Sequence, residues 1–380
     1  MLDQLIAIIR NTFFESIRQP IALVIVLVAA LAILLCNPLS SFTMENDQRM
    51  YIDMGLATIF LCGTLLAAFI ATNVLTREIE NRTALTVISK PVGRPVFIIG
   101  KFLGVAGAIA ICTLNMSLVF MLVELHEVRQ RVLDPYHGPV LVFGIGAGLL
   151  AVATAIWANY FYSKVFASTL ICVSTPLLLL AYVLSLMFDH DFKVQSMSLQ
   201  FKPQLWLALI ALTMAILVLS AIAIAISTRA GQVLTLVLTL AVFVGGMLSD
   251  HFIGRHMTQL EAMWMQRAVA EGSFTEVDVA PKLELTTGRR QESLLKPAKQ
   301  KVPTVALTSM AQGSELMQYG AMRAVYSVLP NFQVLWLSDA LTQEHRIPAS
   351  YITRALLYGV AYIVIALAAA TILFQRREVG

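Results

Sequence analysis

Charge is scarce in this chain. Asp, Glu, Lys and Arg make up 13% of its 380 residues, about half the ~25% of an ordinary soluble domain. So few charges do not cover the surface of a soluble fold of this length. Disorder is excluded as well, because it requires low hydrophobicity and high net charge, whereas 58% of the residues are hydrophobic and the mean hydropathy is +0.76. Cysteine is also sparse. Cys36, Cys62, Cys112 and Cys172 all fall inside apolar runs, with no CxxC pair and no His at zinc spacing. They read as buried inert thiols rather than as a disulfide framework or a metal site. A net charge of +4 is too weak to argue for a nucleic-acid partner. What remains is a polytopic membrane protein in contact with membrane lipids.

A helix needs about 20 apolar residues to cross the hydrocarbon core. Eight stretches qualify, at roughly 20–36, 55–75, 98–123, 138–158, 166–188, 204–226, 232–248 and 352–374. The first has no small-x-small cleavage site after it and reads as a retained span. With the N-terminus inside, the cytoplasmic segments carry Arg10, Arg18, Arg77, Arg82, Lys90, Arg94, Lys101, Lys164, Arg229, Arg376 and Arg377. The short outer loops carry only Arg49, Arg129, Arg131, Lys193 and Lys202. This bias predicts both termini inside, which an even number of spans requires. The expected class is an all-α membrane protein, a polytopic bundle of about eight transmembrane helices within a range of six to eight.

The expected organisation follows. Residues 1–19 form an amphipathic interfacial helix, with Leu2, Leu5, Ile6, Ile9, Phe13 and Ile17 at helical spacing. Residues 20–248 are the transmembrane region. Residues 249–351 are a small extracytoplasmic insertion; its middle, with Pro281, Pro297, Pro303 and KPAKQK at 296–301, reads as loop, and its flanks 254–271 and 306–328 as helix. Residues 352–374 form the last span and 375–380 a cytoplasmic tail.

The segment richest in signals is the cytoplasmic loop 76–97, TREIENRTALTVISKPVGRPVF. Thr76, Glu78 and Glu80 suit a helix N-terminus, where acids meet the positive end of the dipole. Leu85, Val87 and Ile88 form an apolar strip, and Pro91, Gly93 and Pro95 stop the helix and redirect the chain. Such a helix suits docking; the plainer alternative is an anchor that only fixes topology.

Other motifs carry less. GRPVFIIGK at 93–101 has six residues between its glycines and Phe102 after its lysine, so it lacks both the phosphate cradle and the magnesium hydroxyl of a Walker A loop. Asp189, His190 and Asp191, like Asp250, His251 and His256, read as solvated loop residues rather than metal ligands. GIGAG at 144–148 and the stripe Gly100, Gly104, Gly107 read as small-residue helix packing. Asn73 and Asn115 are the main polar side chains within spans. The near absence of ionisable residues at bilayer depth weighs against an ion-coupled carrier and an intramembrane protease.

The order Glu78-x-Glu80, Arg82-Thr83, Leu85, Lys90-Pro91, Arg94, then Gly100-Lys101 resembles the ABC-2 family of transporter permeases, as do LPNFQVLWL at 329–337 and the closing FQRREVG at 374–380. The resemblance implies the permease subunit of an ATP-binding-cassette exporter, paired as a homodimer or heterodimer in a bacterial inner membrane. It implies no enzyme activity and no cofactor in this chain, ATP being bound by a separate cassette ATPase docked on 76–97. The alternative is a non-transporting scaffold or sensor acting through 249–350.

Overall fold

The computed structural model describes residues 2–42, 47–80, 93–129, 136–279, 298–303, 306–343 and 346–375. They fall into two compact units: Met1–Val244 with Phe332–Gly380, and Gly245–Asn331.

The first unit is helical. Its elements are α1 (Leu2–Ile17), α2 (Pro20–Ser40), α3 (Asp47–Glu80), α4 (Arg94–His126), α5 (Gly138–Tyr162), α6 (Phe166–Leu186), α7 (Pro203–Ser227), most of α8 (Gln232–Ser249), the short α11 (Ser338–Thr342) and α12 (Ala349–Gln375). All but α1 and α11 contribute to eight helices long and apolar enough to span a bilayer. Prolines mark several starts. Pro20, Pro95, Pro139 and Pro203 sit in the first turns of α2, α4, α5 and α7, where a missing N–H leaves no hydrogen bond unmade.

α4 is the central helix, packed against α1, α2, α3, α5, α6, α7 and α12. Its glycines explain how α1 approaches so closely. A Cβ placed on Gly104 would lie 2.7 Å from the Ile9 carbonyl oxygen and 2.6 Å from Thr12 Cβ, and one on Gly100 2.8 Å from Ile8 Cγ2. Gly107 faces Phe13. The stripe therefore does the close packing expected of it. GIGAG differs: around Gly146 and Gly148 there is open space, and only Gly144 comes near a neighbour, Leu122. Nothing in the sequence of the two stripes distinguishes them; only the neighbouring helix does. α1 also departs from a helix lying wholly on acyl chains. Leu5, Ile8, Ile9 and Phe13 are partly covered and Thr12, Ser16 and Ile17 buried, while Leu2, Ile6 and Phe14 stay exposed.

At the opposite end of the bundle from α1, the buried Glu124 carboxylate pairs with Lys202 and accepts from Gln48 Nε2 at 3.2 Å. Residues 332–343 and 346–348 fold onto this unit as well. Phe332 is fully buried in an aromatic group with Phe60, Phe243 and Trp336, so the predicted insertion 249–351 overruns the compact unit at its C-terminal side. Cys36, Cys62 and Cys112 are buried as expected, but Cys172 is exposed on α6.

The second unit contains a π-helical turn, Asp250–Gly254, leading into α9 (Arg255–Ala270), an antiparallel pair β1 (Phe274–Val279) and β2 (Ala298–Pro303), and α10 (Gly313–Val328). The strands replace loop at both edges of the expected irregular middle, with Phe274 opposite Pro303 and Val279 opposite Ala298. Leu260, Trp264 and Tyr319 form the core. Above it Arg267 grips Glu315 through two bonds of 2.7 Å, and Trp264 Nε1 donates to the same carboxylate at 2.9 Å. The Gln312 amide adds a fourth donor at 3.1 Å. These donors, Arg267 foremost, hold the Glu315 carboxyl down at about 2 against an ordinary 4.5.

Two outcomes follow. Gly104→Val should cost about 1–3 kcal/mol through overpacking against α1, while Gly148→Ala should stabilise its helix by about 0.5–1 kcal/mol; unfolding of the detergent-solubilised chain measures both. In the second unit, a carboxylate with a depressed folded pKa stabilises above the unfolded value and loses that contribution as it protonates. The protection factors of the amides in α9 and α10 should therefore fall as pH drops from 4.5 to about 2, and Glu315→Gln should flatten that dependence.

Candidate functional site

The candidate site is the end of the bundle where α1 lies, where α3 finishes and α4 begins. Between them runs the segment singled out by its sequence. Glu78 and Glu80 are helical residues in the last turn of α3, not in the first turn of a new helix. At 34 residues, α3 is roughly 51 Å long at 1.5 Å per residue, against a hydrocarbon core of about 30 Å. The fall in hydropathy at Thr76 thus marks the end of the span and not of the helix. Acids at this end meet the negative pole of the dipole, the reverse of the expected arrangement. Arg82, Thr83, Leu85, Ile88, Lys90 and Pro91 lie outside the described residues. Arg94 is the first residue of α4.

Helix ends at this end of the bundle are tied to one another by polar bonds. Asn73, buried two turns before the end of α3, donates from Nδ2 to Gln19 Oε1 at 3.3 Å and accepts at Oδ1 from Gln232 Nε2 at 2.6 Å. One carboxamide so joins the α1–α2 corner, α3 and the start of α8. On the far side of the segment, Arg94 Nη1 donates to the Gln375 carbonyl at 2.9 Å, and Arg229 Nε to the Leu373 carbonyl at 3.1 Å. The two guanidinium groups satisfy carbonyls that the last turn of α12 leaves without intrahelical partners, and their charge suits that end of the dipole. Phe97 stacks on Phe374 at 5.9 Å beside them.

α1 clamps the first turns of α4. Lys101, almost wholly buried, reaches Glu15 Oε2 at 3.6 Å and lies 5.8 Å from the Phe97 ring centroid. A buried ammonium needs such a partner, since removing one member of a buried pair costs about 3–5 kcal/mol. Sequence reading had named Asn73 without its partners and had missed the Glu15–Lys101 pair. Polar residues at span ends were the available signal, but these partners are separated by up to 159 residues.

The remaining candidates sit elsewhere. Asn115 bonds across to α6, donating to Ser174 Oγ at 2.7 Å and Thr175 Oγ1 at 3.1 Å. His190 is not a freely solvated loop residue: its ring lies 4.6 Å from that of His137. Burial, then the nearby His190 and His126, push His137 below its ordinary pKa. Asp250 accepts from the Tyr326 hydroxyl at 3.3 Å, and His251 and His256 are exposed. Among the described residues no cluster of His, Cys, Asp or Glu is placed to hold a metal ion.

Residues 42–232 match the family described as ABC-2 family transporter protein. The matched stretch contains α3 to α7 and the whole 76–97 segment. No curated protein matches the chain.

The Asn73 bridge is open to direct measurement. Asn73→Ala removes a buried carboxamide from the half-buried Gln19 and the exposed Gln232, and the detergent-solubilised chain should lose about 0.6–2 kcal/mol of unfolding free energy. In a double-mutant cycle with Gln232→Ala the losses should be less than additive.

Proposed function

Because the chain belongs to the ABC-2 family of transporter proteins, we propose that it is the permease subunit of an ATP-binding-cassette exporter, driven by a separate ATPase that docks on residues 76–97. Members of this family form the membrane part of such transporters and are not themselves the ATPase. The finer statements rest on the observation that carries the reading: the segment between α3 and α4 emerges from a collar of helix ends bound to one another through Asn73, Arg94, Arg229 and Lys101. A partner that moves this segment moves the collar, and the spans with it.

In this reading both termini are cytoplasmic and the chain lies in the cell membrane of a bacterium, with 249–350 on the outer side. The excess of Lys and Arg at the collar end supports that orientation. Glu78 and Glu80 meet basic groups of the ATPase, and Leu85 and Ile88 supply its apolar contact. Arg82, Thr83 and Lys90 line the contact, while Pro91 and Arg94 set the exit into α4. ATP is bound by the partner, and two permease subunits, like or unlike, complete the transporter.

The test is the double reversal Glu78→Lys with Glu80→Lys. Lysines near a helix C-terminus are favoured by about 0.3–1 kcal/mol each, so α3 and membrane insertion should survive. Association with the ATPase, read by co-purification in mild detergent, should weaken by about 2–5 kcal/mol if the acids meet buried charges. Wild-type association and transport would reduce the segment to a topological anchor.

A further inference from the structure

Far from the collar, α2 and α5 stand apart in front of α4 and leave a cleft of about 360 Å³, within the ~300–1,000 Å³ of small-molecule sites. Its floor is Leu122 and Val123 of α4 and Leu178 of α6, all buried; its rim is Leu34 of α2 and Ile145 of α5, each more than half exposed. It thus opens sideways through the wall that faces the bilayer. The lining runs from Ala30 to Pro38 along α2 and from Val119 to His126 along α4, roughly 10–12 Å at 1.5 Å per residue. That is most of one leaflet of a hydrocarbon core about 30 Å thick.

The cleft is polar at one end only. Asn37 and His126 are its polar lining residues, both at the end away from α1. Asn37 Nδ2 donates to the Glu127 carbonyl at 3.0 Å, but the buried His126 Nδ1 has no hydrogen-bond partner among the described residues. The His126 ring lies 6.0 Å from that of Tyr136, over which the Arg129 guanidinium sits at 3.7 Å. His190 and the acidic Glu127 also act on His126 electrostatically.

The geometry points to a phospholipid site: one acyl chain of a membrane phospholipid lies in the α2–α5 cleft, and its phosphate is met by His126 and Arg129. An apolar slot one leaflet deep, ending in an unsatisfied imidazole beside a guanidinium, matches an acyl chain ending in an anion. The site rests on this cleft alone and requires no ATPase.

The experiment uses the full chain in mild detergent with a photoactivatable phosphatidylglycerol whose diazirine sits mid-chain. Peptides holding Leu34, Leu122 and Ile145 should be labelled at least fivefold above the exposed face of α5 around Leu149. Leu122→Trp, and independently Gly144→Leu, whose Cβ meets nothing nearer than Leu122 Cδ1 at 3.9 Å, should fill the slot and abolish the excess, leaving Leu149 labelling unchanged. His126→Ala should lower labelling by the phosphatidylglycerol severalfold but not by a diacylglycerol probe without phosphate. Labelling of the cleft no higher than at Leu149, or an excess that both filling variants leave intact, overturns the site. So does disulfide formation between Leu34→Cys of one copy and Ile145→Cys of another, which would show a second copy filling the cleft. None of these outcomes bears on the docking of an ATPase.

Discussion

The contact on which the rest depends is the approach of α1 to the glycine stripe of α4. Gly104 brings two helix backbones so near that a single added carbon would meet the Ile9 carbonyl. Inside a bilayer, association of helices is not driven by expulsion of water from apolar faces, because lipid is as apolar as the side chains; close packing and hydrogen bonding take over. Three glycines on one face of α4 provide that closeness. The contact also places Glu15 within reach of Lys101, which allows a lysine to be buried in the first turns of α4. Without α1 in its groove, α4 would present an open channel of missing side chains.

The same constraint governs the other polar groups. Asn73, Asn115, Tyr51 and Glu124 are each buried, and each is bonded to a different helix or to its backbone. A polar side chain in hydrocarbon has no water to fall back on, so it gains by bonding to the protein. The bonds of Asn73, Tyr51 and Glu124 lie towards the two ends of the bundle, while Asn115 ties α4 to the middle of α6. The second unit solves its problem differently. With a small core around Trp264, it concentrates four donors on the one carboxylate of Glu315, an arrangement suited to an aqueous surface.

Where sequence reading failed, it failed for physical reasons. Hydropathy falls at Thr76 because the chain leaves the hydrocarbon, but helical hydrogen bonds are as good in the headgroup region, so α3 runs on through Glu78 and Glu80. GIGAG and the Gly100 stripe look alike, but a groove exists only where another helix fills it. Phe332 and Trp336 fell within the expected insertion 249–351; the burial of Phe332 and the partial cover of Trp336 depend on Phe60 and Phe243. Cys172 sits in an apolar run like the other three cysteines, and whether such a residue faces protein or lipid is not written in the run.

The sequence by itself determined that this is a polytopic helical membrane protein with about eight segments apolar and long enough to span a bilayer, and roughly where each lies. Those properties follow from composition and from length against a fixed bilayer thickness, which are local sums. It also supplied the order of motifs in 76–101 by which the family was recognised. Only the tertiary structure decided which helices touch, and so which polar residues are bonded: Asn73 to Gln19 and Gln232, Arg94 to Gln375, Arg229 to Leu373, Lys101 to Glu15. It alone placed an apolar cleft beneath His126. These are relations between residues far apart in the chain, brought together by the packing of whole helices, and no local pattern encodes the partner.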